Sequence, residues 1–229
     1  PRWLMNGSRN VIRIGARTVT RTRLTIQSSP VLNRAMISKL EELSWKQLEA
    51  QDRARALVIV PVSPLEEHGP HLPLGVDLIQ ATYFSEQVAQ EIVRRRPEQL
   101  VLLHPPVPLG TWTLDYLGSI EIRQRIIRDV IIDIGASLAR HGFRHLVVMN
   151  GHGGPGHIVA QEEACARLTR RHGMRAIAPV GRMIDSLFTG KYLERILAGL
   201  RERGGEVDAC CLATDYHAGA VETSLMLHI

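Results

Sequence analysis

With 229 residues and 45% apolar content, the chain can bury one sizeable core, which fits a single domain. No apolar run approaches the roughly 18–20 residues that cross a bilayer, which argues against a membrane span. The formal net charge of +5 belongs to one end: residues 1–36 hold seven arginines and no acid, and the remainder carries 21 basic against 23 acidic residues. A nucleic-acid-binding domain would carry its basic excess on the fold itself, so nucleic acid is not an expected partner.

The Arg- and Ser/Thr-rich leader, 1–36, resembles an organellar transit peptide. The preferred reading is sequence upstream of the true start, with Met36 as initiator, so the domain is placed at 37–229. Three cysteines, Cys165, Cys210 and Cys211, build no disulfide framework, and the adjacent pair lacks a zinc-type spacing. They read as ordinary thiols in a reducing, cytoplasmic compartment.

Past the leader, Ser44-Trp45-Lys46-Gln47 has the S-x-x-Q form of a capping box and opens a short helix to about Arg55. Leu57–Pro61 reads as a buried strand. Ile79, Tyr83, Val88, Ile92 and Val93 recur at helical spacing over 78–96, where Arg94-Arg95-Arg96 and Pro97 form a stop. Leu100–Leu103 is the next strand. The proline-rich His104–Gly110 is a loop, since proline cannot sit in a central strand. An apolar stripe from Ile122 to Leu138 marks a helix over 121–140. His145–Met149 is a strand and Asn150–Gly156 a glycine-rich loop. A helix follows over 157–172, then a strand over 175–180 and a helix over 184–203. This alternation argues for a layered α/β fold with a largely parallel sheet.

Three segments carry chemistry. Glu66-Glu67-His68-Gly69-Pro70-His71-Leu72-Pro73, trailed by Asp77, leaves the first strand. Carboxylate and imidazole are ligands for zinc, manganese or iron. Glu66 and His68, two apart on extended chain, point to one side. Asp77 can bridge two ions with its two oxygens. His71 reads as a residue behind the ligands or a substrate contact, and Glu67 as solvent-facing. The second segment is Asn150-Gly151-His152-Gly153-Gly154-Pro155-Gly156-His157. It reads as a turn holding His152 as ligand, as a phosphate cradle at a helix start, or as a plain turn. It lacks both the P-loop ending and the GxGxxG spacing. His157 reads as a cap or a rim residue. In the third, Asp215–Ser224, His217 and Glu222 are five apart, a spacing natural across a turn into a helix. A histidine beside activated water can shuttle protons, because its pKa lies near neutrality. His104, His141, His145, His172 and His228 have no supporting partners in sequence and read as structural or surface residues.

Together the three segments resemble the creatininase family of metal-dependent amidohydrolases, over roughly residues 40–229. The first is similar to E-x-H-G-x-H-L-P with its trailing Asp, the second to N-G-H-G-G-N, and the third to H-A-G-x-x-E-T-S. The resemblance implies a three-layer α/β/α sandwich with a largely parallel central sheet. It implies two divalent ions, Zn or Mn with Fe possible, held by Glu66, His68, Asp77 and His152, and His217 as the proton shuttle. Creatininase itself has a ligand glutamate two residues after the N-G-H histidine; that position is Gly154 here, and Glu222 is expected to supply the carboxylate. Pro155 replaces a frequent Asn, and 110–119 matches the substrate-side loop only loosely, placing Trp112 and Asp115 beside the substrate. The C-terminus is expected to be truncated.

The implied function is hydrolysis of a C–N amide bond in a small cyclic or formyl substrate. Within the family, creatinine ring opening, deformylation of a ribosylamino-pyrimidine, and trimming of a peptide-derived cofactor precursor all remain open. A homo-oligomer is expected, a hexamer by resemblance. The alternatives are a non-catalytic metal- or ligand-binding protein and a nucleotide-binding domain using the 150–156 loop.

Overall fold

The computed structural model describes residues 36–188, 193–202 and 215–229. The Arg-rich leader up to residue 35, and Cys210 and Cys211, lie outside the described residues.

The elements run β1 (Ile37–Lys39), a 3₁₀ turn (Leu40–Glu42), α1 (Trp45–Glu49), β2 (Leu57–Pro61), α2 (Val76–Arg95) and β3 (Val101–Leu103). After them come α3 (Gln124–Arg140), β4 (His145–Met149), α4 (Pro155–His172), β5 (Arg175–Ile177), α5 (Val180–Phe188), α6 (Leu193–Glu202) and α7 (Ala220–His228). The Ser44 capping box forms, with the hydroxyl accepting from Gln47 N and the Gln47 side chain reaching back to Ser44 N, but α1 ends at Glu49, short of Arg55. Where a helix was placed at 184–203, the described residues form α5, which begins already at Val180, and α6; the strand placed at 175–180 ends at Ile177.

One parallel sheet of order β1-β3-β2-β4-β5 forms the middle layer. The central strands β2, β3 and β4 are buried on both faces, which is why β2 and β4 read as unbroken apolar runs rather than alternating ones. Successive side chains still go to opposite faces. Val58, Val60, Leu102, Leu146 and Val148 pack with Ile127 and Ile131 of α3 and with Ala160, Ala164 and Leu168 of α4. Ile59, Val101, Leu103, Val147 and Met149 pack with Ala89, Phe84 and Val88 of α2. Two apolar clusters, one on each face, make this a three-layer α/β/α sandwich. α3 and α4 approach closely at Gly135, where any Cβ would strike Leu168.

The strand order places the site. From β2 the chain moves to β3 on one side, and from β4 to β5 on the other. Loops leaving β2 and β4 therefore diverge and open a crevice at the carboxyl ends of these neighbouring strands, where open α/β sheets bind ligands.

Candidate metal centre

The loop after β2 carries Glu66 and His68, the first turn of α2 carries Asp77, and the turn after β4 carries His152. All four are buried, with 1%, 0%, 1% and 6% of their surface exposed. Backbone geometry brings them together. Glu66 N donates to Leu74 O at 3.0 Å, closing the loop so that the chain re-enters α2 beside its own start. Asp77 then lies at a helix N-terminus, where exposed backbone N–H groups favour a carboxylate. The 150–156 turn is built by Asn150, whose side-chain oxygen accepts from His152 N at 2.8 Å and from Ser63 Oγ at 3.1 Å, and whose amide donates to His152 O at 2.6 Å.

Both histidines are aimed by a backbone carbonyl. His68 Nδ1–H donates to Glu66 O at 3.1 Å, and its Nε2 lies 3.3 Å from Asp77 Oδ1 and 3.7 Å from Glu222 Oε1. His152 Nε2–H donates to Thr111 O at 3.1 Å, and its Nδ1 lies 3.0 Å from Glu66 Oε2 and 3.1 Å from Asp77 Oδ2. Such bonds at the far ring nitrogen fix the tautomer that a metal ligand needs. Two ligand groups result, Glu66 with Asp77 and His152, and His68 with Asp77 and Glu222; in each, the ligand atoms lie within 4.8 Å of one another. Asp77 belongs to both, with one oxygen turned to each histidine. A third grouping, Glu66 with His68 and His217, overlaps them.

The electrostatics fit cations. Among the described residues, no lysine or arginine pairs with Glu66, Asp77 or Glu222; their charged neighbours are histidines. Glu66 Oε2, His68 Nε2 and Asp77 Oδ2 are buried without a hydrogen-bond partner, an arrangement that costs free energy unless something positive or proton-donating meets them. In the metal-free chain that role falls to the imidazoles. Burial opposes charge on His152, but the Asp77 and Glu66 carboxylates facing its Nδ1 outweigh it and raise its pKa to about 10. Burial likewise opposes charge on His68, and the Asp77 and Glu222 carboxylates facing its Nε2 raise its pKa to about 10. Burial disfavours the charged Asp77 carboxylate, yet the two histidines hold its pKa below the usual value.

The creatininase family model, described as creatinine amidohydrolase, matches residues 41–229. The chain belongs to the creatininase family. Among curated relatives, it is 33% identical to the creatinine amidohydrolase of Pseudomonas putida over 119 residues, covering 48% of this chain and 43% of that protein. It is 31% identical to a mycofactocin precursor peptide peptidase of Mycobacterium ulcerans over 176 residues, covering 75% and 58%. The matched part is thus about half the length of these relatives. Among solved structures, one described as creatininase Mn superposes with a TM-score of 0.58 at 26% identity, covering 82% of this chain and 71% of that one. A mutant creatininase of Zn-Zn type gives 0.55 at 26% identity over the same shares.

The third family segment reaches the same centre. Glu222, in the first turn of α7, accepts from Ala218 N through Oε2, which leaves Oε1 toward His68. The His217 ring packs on His68 at 4.4 Å between centroids, tilted by 37°, and its Nε2–H donates to Glu67 O at 2.8 Å. Gly154 stands against the His152 ring and Trp112, where any side chain would collide. Position 154 thus offers no carboxylate, and Glu222 Oε1 lies 3.7 Å from His68 Nε2 beside the nearer Asp77 Oδ1.

Glu67 does not simply face solvent: its carboxylate accepts from Gly69 N at 2.9 Å and lies 3.7 Å from His217 Nε2. His157 is neither cap nor rim. It is fully buried, edge-on to His152 at 5.4 Å, with Nε2 on Val62 O at 3.1 Å. Burial and the neighbouring His152 push its pKa down to about 4, so it is a neutral wall behind the centre. His71 lies outside the ligand groups; its Nε2 meets Thr223 Oγ1 at 3.1 Å, tying the first segment to the third. Trp112 and Asp115 line a cavity of about 380 Å³ with Thr113, Leu114, Ser119 and Glu121. A larger cleft of about 430 Å³ beside β1 holds none of the candidate ligands. Thr111, Leu114 and Glu121, which touch or brace the ligands, had no signal in the sequence, whereas Asn150 was legible only as part of the N-G-H segment.

Proposed function

We propose that the chain is a metal-dependent hydrolase that cleaves a C–N amide bond. The observation that carries this is the placement of Asp77 between His68 and His152, with Glu222 and Glu66 completing a ligand group on either side. Glu66, Asp77 and His152 would hold one divalent cation, and His68, Asp77 and Glu222 a second. Cations bound there would polarise a carbonyl oxygen and lower the pKa of a water. Oxygen-rich sites with imidazole accept Zn, Mn or Fe, and the creatininases described as Mn and Zn-Zn support the first two.

The protein's own part is orientation and proton transfer. His217 keeps its Nε2 proton on the Glu67 carbonyl, which leaves Nδ1 as the nitrogen that takes a proton from water and passes it to the leaving amine. The His68 ring against it fixes its plane. Buried His157 and Asn150 hold His152 from behind.

The substrate is a small cyclic or formyl amide or a short peptide amide. The relatives named for creatinine and for a precursor peptide support one arm each. The further expectations, a homo-oligomer and a cytoplasmic setting, stay part of the proposal. The test is hydrolysis by Mn- or Zn-loaded protein across creatinine, lactams, formamides and short peptides. Metal-dependent turnover of any one supports the reading. Retained metal with no turnover across the panel favours a non-catalytic metal-binding protein instead.

A further inference from the structure

We infer that Glu121 is a positioning residue that holds one of the two ligand groups, Glu66 with Asp77 and His152, in its binding geometry. The inference rests on the two-cation reading above. Glu121 itself touches none of the ligands. Its carboxylate gathers the start of the 111–121 loop: Oε1 accepts from Thr111 Oγ1 at 2.7 Å and Trp112 N at 3.0 Å, and Oε2 accepts from Thr113 N and Thr113 Oγ1, both at 2.9 Å. The backbone so gathered makes the two contacts that orient the ligand group. Thr111 O receives His152 Nε2–H, which turns Nδ1 toward Asp77 and Glu66. Leu114 N donates to Glu66 Oε1 at 2.6 Å, which leaves Oε2 facing His152.

A second observation is the backbone conformation those bonds hold. Trp112 takes a φ of 64°, a left-handed conformation that a bulky residue adopts only when its surroundings impose it. The constraint is the Glu121 carboxylate on the Trp112 and Thr113 amides, with the indole lodged against Gly156, where a Cβ would strike it. Ile122 N on Gly110 O at 2.9 Å closes the base of the loop. The His68, Asp77 and Glu222 group draws on none of these contacts; His68 is aimed by the Glu66 carbonyl and Glu222 by Ala218 N.

Hydrogen-bond partners behind a ligand typically matter about 10–100-fold in metal affinity. The experiment is calorimetric titration of chelator-stripped full-length chain with Mn²⁺, comparing wild type, Glu121→Gln and Glu121→Ala. Wild type should show two classes of site. Glu121→Ala should weaken one class by about tenfold or more and leave the other unchanged, with Glu121→Gln, which keeps one accepting oxygen, in between. A general loss of structure would weaken both classes together and would overturn the positioning role, as would two unchanged classes. If Glu121→Ala does not fold, Thr113→Val, which removes one hydroxyl donor to Oε2, must weaken the same single class. Failure of wild type to take up Mn²⁺ would overturn the two-cation reading itself, and is thereby distinguishable from failure of the Glu121 role alone.

Discussion

Gly151 rests directly on the backbone carbonyl of Asp77, so closely that a Cβ at 151 would overlap it. The turn that presents His152 and the helix start that presents Asp77 are thus in contact through bare backbone. That contact sets the 3.1 Å separation of His152 Nδ1 from Asp77 Oδ2. Gly151→Ala should force the two segments apart and destabilise the chain by about 1–3 kcal/mol, the usual cost of overpacking. It should also reduce metal uptake, by elemental analysis, more than a Gly153→Ala control, because nothing stands near a Cβ at 153. Equal uptake by the two variants would show that this contact does not shape the centre.

His217 lies beside the ligands and is held by Glu67, so His217→Ala should separate chemistry from metal binding. Turnover by the metal-loaded variant should drop on the order of 10²–10⁴-fold, while its metal content stays at the wild-type level. Steady-state kinetics with parallel metal analysis reads both. Unchanged turnover would remove His217 from proton transfer.

Glu222→Gln keeps an acceptor for Ala218 N but discards the charge facing His68. One of two cations should be lost and the other retained, since Glu66, Asp77 and His152 form a complete group without it. Full occupancy of both positions in Glu222→Gln would mean that the second carboxylate comes from elsewhere in the chain.

The metal-free chain should have a distinctive pH dependence. His68 and His152 are raised from 6.5 to about 10 on folding, so their contribution to stability is complete below pH 6.5 and is lost as pH rises through about 10. Asp77 is lowered, so its contribution is present above about 3.8 and is lost as pH falls. Melting temperature in chelator should therefore decline from pH 6.5 toward 10. Divalent cations compete with the same protons, so metal should restore stability best at the alkaline end. A chelated protein whose melting temperature rises over that range would contradict the coupling of these imidazoles to Asp77 and Glu66.

The parts of the structure legible in the sequence are those whose signal is local. Leu57–Pro61 and His145–Met149 are strands to the residue, because burial on both faces leaves an uninterrupted apolar run. Glu66, His68, Asp77 and His152 could be picked out because dense carboxylate and imidazole in a loop has few structural uses. β1 escaped notice: Ile37-Ser38-Lys39 is three residues at the sheet edge with no periodicity to read. Asp77 was expected just outside the helix placed at 78–96, but α2 begins two residues earlier, at Val76. Glu67 shows the limit most clearly. Flanked by two ligands, it should point away from them, and it does, yet the chain folds His217 onto that outer side. Such long-range juxtapositions, like Thr111 on His152, leave no trace in residue order.

The most direct measurement is the divalent metal content of purified chain after exhaustive dialysis, for wild type and Asp77→Ala side by side. Asp77 alone belongs to both ligand groups, so wild type should retain about two equivalents and the variant close to none. Wild type without bound metal, or Asp77→Ala with its full complement, would contradict a centre organised around that carboxylate.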